Sequence, residues 1–320
     1  MTGGDPEQQS QDGPYALRGP RRMNDLRHKR ALAFLALLVG GAAIGFSAIF
    51  VRLADVGPLQ SAFWRVALAV PFLSVWAAWT LRRERANSAP GVAPRTRRSL
   101  LPLLAAGAFF AGDLAFWHLS IVYTTVANAS LLANCAPVFV ALGGWLVFGQ
   151  RVTRLFLVAL AISLAGAVLL VGPSFGSEGM QLAGDAFGAV TAMFYGAYIL
   201  AIWRSRGSRS TAAVMTLSSA VSALLLFPLA LAWDGPVLAQ SARGWLILLG
   251  LAVIPHVAGQ SLIAYSMAHL PASLSALSLL IQPVFAAAYA FLILGEAMGA
   301  VQMAGGAIVL AGIYLAKRWS

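Results

Sequence analysis

Two oppositely charged side chains, Arg65 and Asp113, interrupt long apolar stretches of this sequence. Charged groups inside a membrane segment are costly unless they are paired, and they commonly mark the path of a substrate, ion or proton. Measured along their stretches at ~1.5 Å per residue, both fall about 10 Å below the same face of a ~30 Å hydrocarbon core. We therefore expect an ion pair, or a pair bridged by polar groups, that either fixes the helices or faces a bound substrate.

A histidine, His256, lies near the middle of another apolar stretch, and Gln260 follows it by about one turn on the same helix face. An imidazole titrates near physiological pH, so a histidine at that depth is able to relay protons. It is equally able to be a neutral core residue that hydrogen-bonds a neighbour, so proton coupling stays one of two hypotheses. His118 lies near the end of its own stretch and is expected in the aromatic belt at the membrane interface.

Two prolines, Pro137 and Pro283, open the same Pro-Val-Phe sequence, once in each half of the chain. Proline removes an amide donor and clashes with the carbonyl group four residues earlier, so each one kinks or breaks a helix. Carbonyl groups freed at membrane depth need a partner, a cavity or a local readjustment. The pair predicts matched helix breaks that line a central cavity; the alternative is a pair of tolerated packing kinks.

Other polar and aromatic side chains lie close to these residues. Trp117 is one turn from Asp113, where it either stacks on a substrate or joins the interfacial belt. Polar side chains within spans also bind helix to helix without any substrate, so both roles stay open for each of them. The remaining candidates of this kind are Asn128, Ser130, Asn134, Gln282 and Tyr289.

Ten apolar segments position these residues. Each is near the length of about 20 residues that crosses a bilayer, and each is apolar all round. The chain is 59% hydrophobic and 10% charged, with a mean hydropathy of +0.78, whereas soluble domains contain about 25% charged residues. We predict an all-α membrane protein with ten transmembrane helices after a disordered polar tail at residues 1–30. The predicted segments are 31–53, 58–81, 99–119, 124–148, 153–172, 184–204, 211–233, 243–266, 271–295 and 299–317.

Positive charge gathers at alternate ends of these segments. With the N-terminus in the cytoplasm, all of the 22 lysine and arginine residues except Arg52, Arg65 and Arg243 fall on the cytoplasmic side. The positive-inside rule thus predicts that both termini are cytoplasmic, and the net charge of +11 is an orientation signal rather than a surface for nucleic acid. Because each half has five helices, an odd number, the second half enters the membrane inverted. Inverted repeats with a site between them are typical of secondary transporters that work by alternating access.

The repeated halves resemble the EamA-type transporters of the drug/metabolite transporter superfamily. The residues that carry the resemblance are Phe63-Trp64-Arg65, the stretch from Tyr123 to Ala129, and the Pro-Val-Phe runs at 137–150 and 283–296. The resemblance implies two five-helix repeats, at 31–172 and 184–317, and adds Trp64 to the candidate site. It also implies a secondary transporter of small organic metabolites such as amino acids or drugs, expected to be an exporter in the inner membrane of a bacterial cell.

Other functions fit the sequence less well. A nucleotide-sugar or lipid-linked sugar carrier would need several cations for the phosphates of its cargo, and Arg65 is the only arginine or lysine well inside a predicted segment rather than at its end. An enzyme is not indicated, because no HExxH, paired-aspartate metal motif or nucleophile elbow occurs, and no cofactor or metal is expected. A non-transporting membrane scaffold stays open. GxxxG spacing at Gly41 and Gly45, and at Gly184 and Gly188, is compatible with a homodimer.

Overall fold

The computed structural model describes residues 20–86, 100–124, 126–150, 152–171, 180–206, 209–233, 235–294 and 299–319. Throughout these ranges the regular secondary structure is helical, without a β-strand, which confirms the all-α prediction. The α-helices are α1 (Pro20–Gly45), α2 (Ser47–Leu53), α3 (Pro58–Ala67), α4 (Ala69–Ala86), α5 (Leu101–Tyr123), α6 (Val126–Ala133), α7 (Ala136–Phe148), α8 (Arg154–Val171), α9 (Met180–Arg206), α10 (Thr211–Ala232), α11 (Ala242–Leu251), α12 (Ser261–Ser266), α13 (Ala272–Ser278), α14 (Ile281–Leu294) and α15 (Ala300–Trp319). A π-helical segment, Ala252–Gln260, joins α11 to α12.

Eight helical runs in these ranges are long and apolar enough to cross a membrane, which indicates a multi-pass membrane protein. The eight runs are His28–Leu53, Pro58–Glu84, Leu101–Tyr123, Leu182–Ser205, Thr211–Ala232, Ala242–Ser266, Ala272–Ile293 and Ala300–Arg318. Two shorter apolar helices, Ala136–Phe148 and Arg154–Leu169, accompany them.

The starts and ends of several helices follow from the local sequence. Ser210 and Ser241 precede α10 and α11, and each hydroxyl oxygen accepts a hydrogen bond from the amide three residues later, as N-cap residues do. Pro58 begins α3, where a missing amide costs little because first-turn amides have no partner within the helix. α7 ends at Gly149, whose φ of 64° is the left-handed conformation that favours glycine.

The first helix begins at Pro20, earlier than the boundary at residue 31 that hydropathy predicted. Its first turns contain the basic residues from Arg21 to Arg30, which the sequence analysis assigned to the disordered tail. Hydropathy marks only the apolar part of a helix. Lysine and arginine are good helix formers, so the backbone hydrogen bonding of the helix continues through the basic residues. Residues 1–19 of the predicted tail lie outside the described residues.

The two repeated prolines lie beside helix breaks, as predicted. The breaks separate α6 from α7 just before Pro137, and α13 from α14 just before Pro283. At the second break the carbonyl oxygen of Leu279 accepts a hydrogen bond of 2.9 Å from the amide of Gln282. This local readjustment satisfies a carbonyl group that Pro283 would otherwise leave without a partner in the membrane.

Three further interruptions of the helices were not predicted. Phe46 separates α1 from α2, Leu68 separates α3 from α4, and the π-helical segment contains Pro255. Pro71 follows Leu68 by three residues, so prolines were the sequence signal for two of these three interruptions. Single-turn π-helices frequently occur at functional sites.

Small residues let the helices approach closely within this chain. Gly41 and Gly45 of α1 face α14, and a Cβ atom added at Gly41 would come within 2.6 Å of Cγ2 of Ile281. Gly184 and Gly188 of α9 lie in the same way against the C-terminal ends of α5 and α6. Both GxxxG pairs therefore pack against helices of the same chain. They do not support the homodimer, which stays a prediction.

His118 is fully buried, so its predicted place in an interfacial belt is wrong. Its Nδ1 lies 2.9 Å from the hydroxyl oxygen of Ser61 in α3. The prediction used only the distance of His118 along its segment. That distance gives depth but not the rotation of the helix, and the rotation turns this ring toward α3.

Candidate functional site

One cavity lies among helices from both halves of the sequence, and we call it the charged cavity. It contains about 630 Å³ of space between atoms, including the part that is open at its mouth. Its walls come from α1, α2, α3, α5, α6, α9, the π-helical segment and α14. Its lining residues are Ile44, Gly45, Ser47, Ala48, Arg65, Asp113, Leu114, Trp117, Ser130, Ala133, Asn134, Tyr195, Gln260, Gln282, Pro283 and Ala286.

The charged cavity brings together more than half of the site residues that the sequence predicted. Those that line it are Arg65, Asp113, Trp117, Ser130, Asn134, Gln260, Gln282 and Pro283. Trp64, Pro137, His256 and Tyr289 are not among its lining residues. Asn128 lies in α6, and its side chain is outside the part of the chain that the structure describes.

Arg65 and Asp113 are the only charged residues among those that line this cavity in the described ranges. Only 3% of Arg65 and 8% of Asp113 is exposed. Nε of Arg65 has no hydrogen-bond partner among the described residues, and no direct ion pair joins the two side chains there. The direct ion pair is therefore not formed among the described residues, and the pair bridged by polar groups stays a prediction.

Tyr195, Gln282 and Gln260 form a polar cluster in the cavity wall. Nε2 of Gln282 donates a hydrogen bond of 3.3 Å to the hydroxyl oxygen of Tyr195, and Gln260 lines the same cavity. Oε1 of Gln260 is buried without a hydrogen-bond partner among the described residues. Because buried polar atoms normally have a partner, this oxygen is an acceptor that remains available to a ligand.

Tyr195 was not among the predicted site residues. Its ring stacks on Tyr198 with 6.1 Å between ring centroids, and Tyr198 stacks in turn on Phe110 at 4.6 Å. A buried tyrosine hydroxyl usually needs a hydrogen-bond partner. The position of Tyr195 midway along an apolar segment was therefore the signal that could have identified it.

His256 lies behind these rings and does not line the cavity. It is fully buried, its ring stacks on Phe110 at 5.3 Å, and its Nε2 lies 2.7 Å from the hydroxyl oxygen of Ser219. Gln260, which the sequence analysis placed on the same helix face, does line the cavity. Both residues belong to the π-helical segment Ala252–Gln260, which the sequence did not predict.

Ser130 of α6 and Asn134, which follows α6 directly, both line the cavity. Nδ2 of Asn134 donates a hydrogen bond of 2.6 Å to the backbone carbonyl of Ser130, so part of this amide is already bound to the last turn of α6. Trp117 also lines the cavity and meets His118 edge-on at 5.1 Å. This position favours contact of Trp117 with a ligand over a place in the interfacial belt.

The other candidates pack around the cavity or beyond it. The indole of Trp64 donates a hydrogen bond to the carbonyl of Val237, in the connection between α10 and α11. Tyr289 stacks on Phe46 with 3.9 Å between ring centroids. Pro137 is buried in α7 without lining the cavity, so only one of the two repeated prolines lies where both were predicted.

Comparisons with known proteins identify one family and several relatives. The model of the EamA-like transporter family matches residues 31–172 and 182–318. An uncharacterized transporter from Archaeoglobus fulgidus is 30% identical over 300 residues, which cover 92% of this chain and 98% of that protein. The pseudopaline exporter CntI from Pseudomonas aeruginosa is 28% identical over 216 residues, which cover 67% of this chain and 74% of that protein. A solved crystal structure has the same fold, with a TM-score of 0.73 at 18% identity, over 92% of this chain and 99% of its own.

Proposed function

This chain belongs to the EamA-like transporter family, and from that premise we propose a secondary transporter that exports small organic metabolites by alternating access. Membership of the family makes the protein a transporter rather than an enzyme, with a small molecule as its substrate and a membrane as its surroundings. Amino acids and drugs of similar size are the substrate classes that we propose.

The eight long spans and the two shorter apolar helices support an arrangement of ten transmembrane helices. α6 and α7 together form one further crossing, and α8 forms another. Residues 31–172 and 184–317 then hold five helices each, and the breaks beside Pro137 and Pro283 fall in the fourth helix of each half. An odd number of crossings inverts the second half relative to the first, as in many secondary transporters.

The observation that carries the proposal is the charged cavity between these two halves. The first half contributes α1, α2, α3, α5 and α6 to its walls, and the second half contributes α9, the π-helical segment and α14. A site between inverted repeats opens to alternate sides when one half rocks against the other. Arg65, Asp113 and the unpartnered oxygen of Gln260 provide groups that hold a polar ligand in such a site.

We place both termini in the cytoplasm of a bacterial cell, with the chain in the inner membrane. Lys317 and Arg318 in the last turn of α15 support this orientation, as do the basic residues in the first turns of α1. The relative that is named as a pseudopaline exporter supports export as the direction.

Uptake and counterflow in proteoliposomes test the proposal. The full chain is purified, reconstituted and offered pooled radiolabelled amino acids and aromatic metabolites, with and without an imposed proton gradient. We expect saturable flux that Asp113→Asn reduces and that Trp145→Phe leaves unchanged, because Trp145 is 55% exposed on the outside of the bundle.

The gradient separates two forms of the mechanism. Accumulation that collapses with the proton gradient would indicate proton coupling, and exchange without accumulation would indicate a facilitator. If the folded protein moves none of the pooled compounds, small zwitterionic or aromatic metabolites are not its cargo. Phosphorylated or lipid-linked cargo would be offered next, and a scaffold would move nothing at all.

A further inference from the structure

We propose that the charged cavity selects zwitterions, with Arg65 binding the carboxylate and Asp113 binding the ammonium group of one ligand. The inference rests on the proposed transport function. It adds to that function the charge pattern of the substrate and the residue that recognises each charge.

The first step is that both charges are buried in one cavity without a direct partner. Arg65 and Asp113 lie on α3 and α5, which pack against each other, yet their side chains line the cavity rather than forming a direct ion pair. Removal of a charge from water costs several kcal/mol, and membrane proteins usually compensate that cost by pairing. Two opposite charges that face a common space leave room for a ligand that completes both pairs.

The second step concerns the ligands that this arrangement rejects. A cation satisfies Asp113 but places its positive charge in the same cavity as Arg65. An anion satisfies Arg65 but places its negative charge in the same cavity as Asp113. A neutral compound leaves both charges without a partner. Like charges in one desolvated site discriminate against wrong ligands as strongly as attraction favours the right one. A ligand with one charge of each sign is therefore preferred.

The third step is the character of the remaining walls. The other lining residues within the described ranges are neutral, so they add no charge that a ligand would need to balance. The buried Oε1 of Gln260 is an acceptor without a partner and suits an N–H group of the ligand. Ile44, Leu114 and Trp117 provide apolar surface. The substrate class is thus a small zwitterion with an apolar or aromatic side chain.

The test compares ligands that differ only in charge. Binding of phenylalanine, phenethylamine and hydrocinnamate to the full chain in detergent is measured by isothermal titration calorimetry, followed by leucine, isoamylamine and isocaproate. Binding is preferred to flux here because the amines and acids also cross lipid unaided in their neutral forms. We expect each zwitterion to bind about tenfold or more tightly than the amine and the acid that lack one of its charges.

Charge-removing variants then assign each charge to its residue. In Asp113→Asn the preference should move to the acid, because only the carboxylate site remains. In Arg65→Gln the preference should move to the amine. If the two charges had only a structural role, each variant would weaken the binding of all three ligands together or unfold the protein. The order of their affinities would then stay the same. Ser130→Ala is the matched control, since it removes a neutral lining group and should keep the order of the wild type.

The outcomes separate the inference from the function on which it rests. Equal binding of zwitterion, amine and acid by the wild type overturns the zwitterion inference, as does binding of neither phenylalanine nor leucine. Both of these results are obtained with the wild type alone, so the inference can be tested even if a variant fails to fold. Saturable flux of any other pooled compound in proteoliposomes would still support the transporter, whereas absence of all flux would count against the proposed function itself.

Discussion

The indole Nε1 of Trp64 donates a hydrogen bond to the backbone carbonyl of Val237, with 2.6 Å between nitrogen and oxygen. From the same helix, Nε2 of Gln60 donates to two carbonyl groups at the end of α10, both at 3.0 Å. Asp55, which precedes this helix, accepts a hydrogen bond of 2.9 Å from the hydroxyl group of Ser241. We call these three side chains together with residues 230–233 and 235–241 the clasp. It joins segments far apart in the sequence at one end of the helix bundle.

Trp64→Phe should loosen the clasp and favour a conformation that is open at that end. The substitution keeps an aromatic ring but removes the N–H donor, and a hydrogen bond between membrane helices contributes about 0.6–2 kcal/mol. A loss of that size shifts a two-state population about three- to thirtyfold. The shift is measured as the rate at which a water-soluble thiol reagent labels Ala48→Cys, a position in the cavity lining, after Cys135→Ser has removed the natural thiol.

Trp145→Phe is the control for that experiment, because Trp145 is exposed on α7 and away from the clasp. Labelling at the wild-type rate in Trp64→Phe would show that the clasp is a fixed structural contact. Equal acceleration in both variants would point to general loosening of the bundle.

Counting along the apolar segments indicated which residues lie near one another. This count placed Arg65 and Asp113 at one level of two segments, and the two residues do line one cavity. The repeated prolines predicted the helix breaks, because the lack of an amide donor acts locally and does not depend on neighbouring helices.

Rotation of each helix about its axis was the property that the sequence did not contain. A segment that is apolar all round has no polar face to mark the side that turns inward. For this reason His118 was wrongly predicted in the interfacial belt, and Tyr195 was not predicted as a site residue. The π-helical segment that contains His256 and Gln260 was not predicted either, because it left no distinct pattern in the sequence.

Gly166→Ala should destabilise the contact between α8 and α15. An added Cβ atom would come within 2.7 Å of the backbone nitrogen of Val309 and 2.8 Å of the carbonyl oxygen of Gly305. Backbone atoms cannot move aside as a flexible side chain does, so we expect a loss of about 1–3 kcal/mol in the free energy of unfolding. Equilibrium unfolding in mixed micelles measures it. Gly299→Ala is the matched control, because its nearest contact would be 3.9 Å away and its stability should stay near that of the wild type.

Pro283→Ala should lower the transport rate more than Pro137→Ala does. Alanine restores an amide donor four residues after Leu279, whose carbonyl oxygen now accepts from Gln282, and so allows α13 and α14 to join as one straight helix. Pro283 and Gln282 both line the cavity, whereas Pro137 does not. Initial rates of counterflow measure the effect, with thermal unfolding as a check that the protein is intact.

Pro228→Ala serves as the control for the proline variants, because Pro228 lies inside α10 and outside the cavity lining. Equal losses of rate in Pro228→Ala and Pro283→Ala would mean that prolines act through helix stiffness in general. No loss in Pro283→Ala would mean that the break beside the cavity is a packing kink.

His256→Gln should keep the pH dependence of transport, although His256 was one hypothesis for a proton relay. The imidazole does not line the cavity, and its ring packs on Phe110 while Nε2 pairs with the Ser219 hydroxyl group. Glutamine does not titrate but offers the same hydroxyl group a hydrogen-bond partner, so we expect rates close to the wild type across the pH range. His256→Ala removes that partner and should lose about 1–2 kcal/mol of stability.

Proteoliposome rates are measured over the pH range with His269→Gln as the control. A pH profile that becomes flat in His256→Gln, but not in His269→Gln, would establish the relay. Replacement of a histidine that stays neutral in the core would leave the pH profile unchanged, whereas replacement of a titrating histidine would alter it.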